Sequence, residues 1–200
     1  MMGGVFMCGR YVIFTDREIE EVKEIIRDIS NKYGEGSMAT GEIYPTNRAP
    51  VYVAKKGRYG AELMSWGLPS FKGSGVIINA RAETAMEKPI FKSALETRRC
   101  IIPSTGFFEW GEVKGEKKKI KYLFNLPDSH MLYMAGLYNQ GPDEPRFAIL
   151  TTAANRSMIE VHSRMPLILR KNEIENWLYN KESVMEFLHK TPPELVRQKV

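Results

Sequence analysis

Between residues 100 and 152 the chain is built almost wholly from short aromatic and β-branched segments, and this constrains its fold more than any other feature. Residues 100–103, 107–113, 119–126, 132–138 and 147–152 are set apart by Gly, Pro or Asp. Such punctuation marks strands joined by tight turns rather than helices. Within the third segment Ile120, Tyr122, Phe124 and Leu126 alternate with more polar neighbours, as a strand with one buried face requires.

The flanks carry helical signals. Thr15 and Glu18 read as a capping box, and Ile19, Val22, Ile26 and Ile29 recur at helical spacing until Gly34 ends the run. Residues 35–42 read as loop, and 51–54 with 61–68 flank Lys56-Gly57-Arg58 as a hairpin. Residues 76–79 form a short apolar strand, and Pro89 opens a helix running to about Arg99. Residues 173–179 and 183–188 predict two late helices that turn Trp177, Leu178, Phe187 and Leu188 inward. The polar segment 191–200, with Pro192-Pro193, reads as a frayed tail. The chain is thus α+β, a single domain with a strand-rich middle.

Composition narrows the function classes. In 200 residues, 43% hydrophobic content supplies one sizeable core and excludes a disordered chain. The longest apolar runs, such as Val76-Ile77-Ile78 and 131–137, are too short to span a bilayer, and no secretory signal opens the chain. The cytoplasm is therefore the expected compartment. Two cysteines, Cys8 and Cys100, are too few for a disulfide scaffold or a four-ligand zinc site, so no metal and no cofactor are expected. Lys plus Arg is 29 against 24 Asp plus Glu, a net +5 that permits a polyanionic partner without requiring one.

Four polar residues stand in unusual company: Cys8 in Met7-Cys8-Gly9-Arg10-Tyr11, Asn79 in Ile78-Asn79-Ala80-Arg81, Glu109 in Phe107-Phe108-Glu109-Trp110, and His162 in Val161-His162-Ser163-Arg164-Met165-Pro166. Each has a plain structural explanation. A cysteine near a terminus is commonly inert. Asn79 could cap the helical turn that follows it. Glu109 could point to a wet face of its strand, and His162 could be a satisfied structural histidine.

Taken together, the strings MCGRY, INARAET, RRCIIPSTGFFEW, TTAAN and HSRMPLIL resemble the SOS response-associated peptidase (SRAP) family, in order, from Met7 to about Trp177. Members of that family protect and process abasic sites in DNA. The resemblance implies a β-rich, barrel-like core of mostly antiparallel strands with peripheral helices. It implies a domain over 8–190, preceded by an extension, 1–7, absent or removed in the active form. Cys8 matches the family's catalytic cysteine, which becomes N-terminal once the preceding methionine is gone. Asn79, Glu109 and His162 match the asparagine, glutamate and histidine of its other motifs, and Arg81 and Trp110 fall at positions used around DNA. The implied partner is single-stranded DNA containing an abasic site, bound by a monomer.

The chemistry suits these groups. An open abasic sugar presents an aldehyde, which an α-amine with a pKa of about 7.7–8.0 attacks more readily than a lysine can. The neighbouring thiol then closes a five-membered thiazolidine. Glu109, among aromatics, is expected to protonate the sugar ring oxygen. His162 is expected to shuttle protons, and Asn79 to orient the amine or a phosphate. Arg81 and Arg10 are expected to neutralise phosphates; Trp110, Trp66 and Phe71 are candidate stacking platforms, Trp66 being equally well explained as core. Two rivals are a cysteine peptidase acting on other proteins and a non-catalytic single-strand binder.

Overall fold

The computed structural model describes residues 8–15, 19–70, 73–112, 118–141 and 143–200. In chain order its elements are β1 (Tyr11–Ile13), α1 (Glu20–Tyr33), β2 (Gly41–Ile43), β3 (Arg48–Ala54), β4 (Tyr59–Trp66), β5 (Leu68–Pro69), β6 (Val76–Ile77) and β7 (Asn79–Arg81). Then follow α2 (Ala82–Ala85), α3 (Pro89–Thr97), β8 (Arg99–Ser104), β9 (Gly106–Gly111), β10 (Ile120–Asn125), β11 (Leu132–Gln140), β12 (Pro145–Ala153), β13 (Arg164–Pro166) and β14 (Ile168–Leu169). A 3-10 turn over Lys171–Glu173, α4 (Ile174–Tyr179), α5 (Val184–Leu188) and β15 (Val196–Lys199) complete the chain.

Five of these strands close a ring. β12 pairs with β4, β4 with β3, β3 with β8, β8 with β11, and β11 returns to β12. Closure leaves no free edge among them, and both faces of the ring are covered: Val51, Met134 and Ile149 are buried on one, Leu63 and Ile101 on the other. All pairings are antiparallel except those of β12 with β4 and with β7. The α+β, barrel-like expectation therefore holds. A second sheet, ordered β15-β10-β9-β1-β2, lies beside the ring.

The helices cover the outside. α1 buries Val22, Ile25 and Ile29. At the far end Arg99, only 5% exposed, donates to Leu95 O of α3 and to Trp177 O and Leu178 O of α4. It satisfies carbonyls left open at two helix ends. Trp177 donates to Cys100 O, and Trp177, Leu178, Phe187 and Leu188 are buried as expected.

Several local expectations need correction. The first helix starts at Glu20 with Ile19 as N-cap and no side-chain cap, so Thr15 does not cap it; Glu18 lies outside the described residues. The apolar run 76–79 divides. β6 pairs with β5, whereas Asn79 begins β7 beside β12 instead of ending a strand. The polar tail is strand: β15 pairs antiparallel with β10, Tyr122 opposite Lys199 through Asn125 opposite Val196. Its side chains are exposed, so hydrophobic periodicity could not announce it; main-chain bonds hold it. Finally, β10 does not have a single buried face. Leu123 is buried with Val12 and Phe108 in a small cluster on the outer face of the second sheet.

Candidate active site and nucleic-acid interface

Alternation along the second sheet sorts the site residues onto two faces. Tyr11 lies opposite Ile43 and Phe107, and Tyr122 opposite Glu109. These side chains point to the core. Val12 lies opposite Glu42, Trp110 opposite Lys121, and Phe108 opposite Leu123, and these point outward. The Phe-Glu-Trp string therefore sends its carboxylate one way and its two aromatics the other.

On the inner face, Cys8 and Glu109 meet. The backbone nitrogen of Cys8 donates to Glu109 Oε2 at 2.9 Å, and Trp110 N donates to Oε1 at 3.2 Å. Glu109 is 4% exposed, so its wet-face explanation fails. Both oxygens accept N–H bonds. Cys8 is fully buried and its φ of 47° lies in the left-handed region, unusual for a residue with a Cβ. Burial, reinforced by the Glu109 carboxylate, pushes the Cys8 thiol well above its ordinary range. Cys100 is likewise a buried thiol raised by desolvation, but it sits in the ring wall opposite Gly136.

Tyr11 and Trp66 form the next layer. Their ring centroids are 5.2 Å apart, and Trp66 lies parallel to Phe147 at 6.3 Å. Trp66 has no exposed surface and its indole N–H donates to Ile78 O at 3.0 Å. A base cannot reach it, so Trp66 is a core residue and not a stacking platform. Its work is to fasten the residue before Asn79 to the strand that follows Cys8. The Tyr11 hydroxyl is enclosed and meets no hydrogen-bond partner among the described residues.

Asn79 and His162 are attached to this region through their neighbours. Asn79 stands opposite Ile149 at the start of β7, and Arg81, the exposed third residue of that strand, opposite Thr151. Since the N-cap of α2 is Arg81, Asn79 does not cap that helix. His162 closes the turn after Met158, accepting at Nδ1 from Arg164 N at 3.0 Å. That leaves Nε2 to carry the proton of the neutral ring. Its neighbour Val161 abuts Gly111, two residues beyond Glu109 on the same side of β9.

A clamp that sequence reading missed joins these two segments. Arg164 donates from Nη1 and Nη2 to the two oxygens of Glu83 at 2.6 and 2.9 Å, and from Nη2 to Thr151 O at 2.6 Å. It spans β12, with the Asn79 strand on one side and the His162 turn on the other. A two-pronged guanidinium contact fixes angle as well as distance. The signal was present, because both residues lie inside the motif strings, but their pairing across 81 positions was not readable.

On the outer face Arg10 stacks over Tyr44 at 4.3 Å and over Trp110 at 5.0 Å. Both candidates for DNA contact on this face thus touch one another. Phe71 lies outside the described residues. Among the described residues no three His, Cys, Asp or Glu side chains gather in a group able to hold a metal ion, and no helix is long and apolar enough to cross a membrane.

A family model described as SOS response associated peptidase (SRAP) matches residues 7–200. "Abasic site processing protein YoqW" of Bacillus subtilis (strain 168) is 34% identical over 200 residues, spanning 91% of this chain and 84% of its own. "Abasic site processing protein YedK" of Escherichia coli (strain K12) is 27% identical over 188 residues, spanning 90% and 83%. Among solved structures, a protein from Bacteroides thetaiotaomicron superposes with a TM-score of 0.76 at 24% identity, covering 96% of this chain and 92% of that one. That likeness concerns the fold alone.

Proposed function

Since the chain belongs to the SOS response associated peptidase (SRAP) family, we propose that it processes abasic sites in DNA by forming a covalent adduct between the open sugar and an N-terminal Cys8. The single observation that carries this reading is the 2.9 Å bond from the Cys8 nitrogen to Glu109. On an internal cysteine this bond satisfies a buried amide N–H; on a terminal one the same carboxylate faces an amine that must lose a proton before it can attack an aldehyde. Glu109 is placed to take that proton, a different task from the protonation of the sugar ring oxygen expected from sequence.

The order of bond formation follows from the thiol. Burial, and after it the adjacent carboxylate, raise the Cys8 thiol, which favours the amine as the first nucleophile. The amine adds to the aldehyde carbon and water leaves, giving an imine. The thiol sulfur then adds to the imine carbon, and its proton passes to the nitrogen, which completes the thiazolidine. His162, with Nε2 free to exchange a proton, assists the departure of water; Asn79 orients the reacting groups. The same raised thiol argues against a peptidase acting on other proteins, which requires an accessible thiolate.

Exposure of the amine requires loss of residues 1–7, by initiation at Met7 with methionine excision or by cleavage of the Met7–Cys8 bond within the domain. The left-handed Cys8 favours the second route, because φ ceases to be restrained once no carbonyl precedes the nitrogen. The single-stranded preference is part of the proposal: it rests on Arg10, Arg81 and Trp110.

The test is intact mass after incubation of a chain beginning at Cys8 with a single-stranded oligonucleotide bearing one abasic site. A denaturation-resistant adduct is expected for the parent and none for Cys8→Ala. Glu109→Gln should slow adduct formation by about 10²–10⁴-fold, the usual contribution of a positioned proton acceptor. Equal cross-linking by Cys8→Ala would overturn the assignment.

A further inference from the structure

The outer face of the second sheet holds an ion arrangement that the proposed chemistry leaves unused. Glu42 Oε2 meets Arg10 Nη1 at 3.0 Å, and Oε1 meets Lys121 Nζ at 2.5 Å. Tyr44 OH donates to Oε2 at 3.3 Å. Arg10 lies over Tyr44 and Trp110, while Lys121 Nζ is 3.9 Å from the Phe108 centroid and 5.9 Å from that of Trp110. One carboxylate therefore holds two cations against a shared bed of aromatic rings. Burial alone would raise the Glu42 carboxyl; the bonds from Lys121 and Arg10 outweigh it and hold the group below its ordinary value.

The triad is neither core nor fully solvated. The side chains of Arg10, Glu42 and Lys121 are 29%, 32% and 23% exposed. Water and solutes reach them, yet the rings fix where the cations stand even without the carboxylate. Three strands contribute to it or flank it, since Arg10 precedes β1, Glu42 lies on β2 and Lys121 on β10. A carboxylate between two cations occupies the place an anionic oxygen of another molecule would take.

We propose that Glu42 is a resident counter-ion on the path of the DNA strand, and that Lys121 is a phosphate-binding residue partnering Arg10. Resting on the single-strand reading above, it adds an exchange: a phosphate replaces the Glu42 carboxylate between Arg10 and Lys121, and a neighbouring base stacks on Trp110. Glu42 offsets one of the two positive charges on the empty face and makes binding depend on exchange, which weakens attachment to anions that offer no base to stack. A purely structural staple between edge strand β2 and β10 would account for the same bonds but would leave strand affinity and its salt dependence unchanged.

The experiment uses an undamaged single-stranded oligonucleotide, which has no aldehyde, so binding is read apart from adduct formation. Affinity is measured by fluorescence anisotropy across a potassium chloride series. Lys121→Ala should reduce the magnitude of the log–log salt slope by about 0.7, the share of one phosphate on a single strand. Lys121→Arg should restore it. Glu42→Gln, which keeps shape and removes charge, should bind roughly two- to fivefold tighter at low salt, with the gain fading as salt rises. An unchanged slope in Lys121→Ala, or unchanged or weaker binding by Glu42→Gln, overturns the proposal while leaving the abasic-site reading intact. Failure of the parent to bind any single strand, with or without an abasic site, would overturn both.

Discussion

Tyr11 shows how one residue can serve the site's architecture at a cost in stability. Its ring packs on Trp66, which in turn holds Ile78 ahead of Asn79, but its hydroxyl is enclosed without a partner among the described residues. A buried hydroxyl left unpaired costs about 1–3 kcal/mol. Tyr11→Phe keeps the ring and removes the oxygen, so it should raise the unfolding free energy by about 1 kcal/mol in urea denaturation. A loss of stability would mean that the hydroxyl is satisfied in solution. Glu109 and Trp66 mark the limits of reading residues one at a time. Glu109 was visible as a carboxylate among aromatics, but strand alternation allowed either face, and only its register opposite Tyr122 decided that it points toward Cys8. The local sequence around Trp66 suits stacking and packing equally; its enclosure by Tyr11 and Phe147 makes it a packing residue.

Among the elements, β11 is the keystone of the ring, because it pairs with β8 along one side and β12 along the other. Gly136 sits between them, opposite Cys100 on one side and Ile149 on the other. A Cβ there would lie 2.5 Å from Ile102 Cδ1 and 2.8 Å from the Ala148 carbonyl oxygen. The carbonyl belongs to a paired strand and cannot swing aside. Gly136→Ala should therefore destabilise the fold by roughly 1–3 kcal/mol, the usual cost of overpacking, seen as a lowered thermal midpoint. An unchanged midpoint would show that the ring can open locally. The strands of this region were legible from their aromatic and β-branched runs, and α3 from Pro89. β15 was not, since an edge strand with four exposed side chains is held by main-chain bonds that have no sequence period.

At the scale of the whole molecule, the proposed binding and the proposed chemistry draw on opposite faces of one sheet. The Cys8–Glu109 pair faces inward, whereas Arg10, Trp110 and Lys121 face outward. The two activities should therefore separate. A full chain retaining residues 1–7 is expected to bind undamaged single strands with the same salt slope as a chain beginning at Cys8, yet to form no adduct with abasic DNA. Anisotropy with intact mass checks both halves; an adduct from the full chain would remove the need for a terminal amine. By itself the sequence determined the α+β class, most strand and helix positions and the four motif residues, because hydrophobic period and motif spacing are local properties of the chain. Tertiary structure alone decided ring closure, the Glu83–Arg164 clamp, the enclosure of Trp66 and the seating of Glu42 between Arg10 and Lys121. Each of these joins residues tens of positions apart, and strand register, which brings them together, is fixed by packing and main-chain pairing rather than by any one segment.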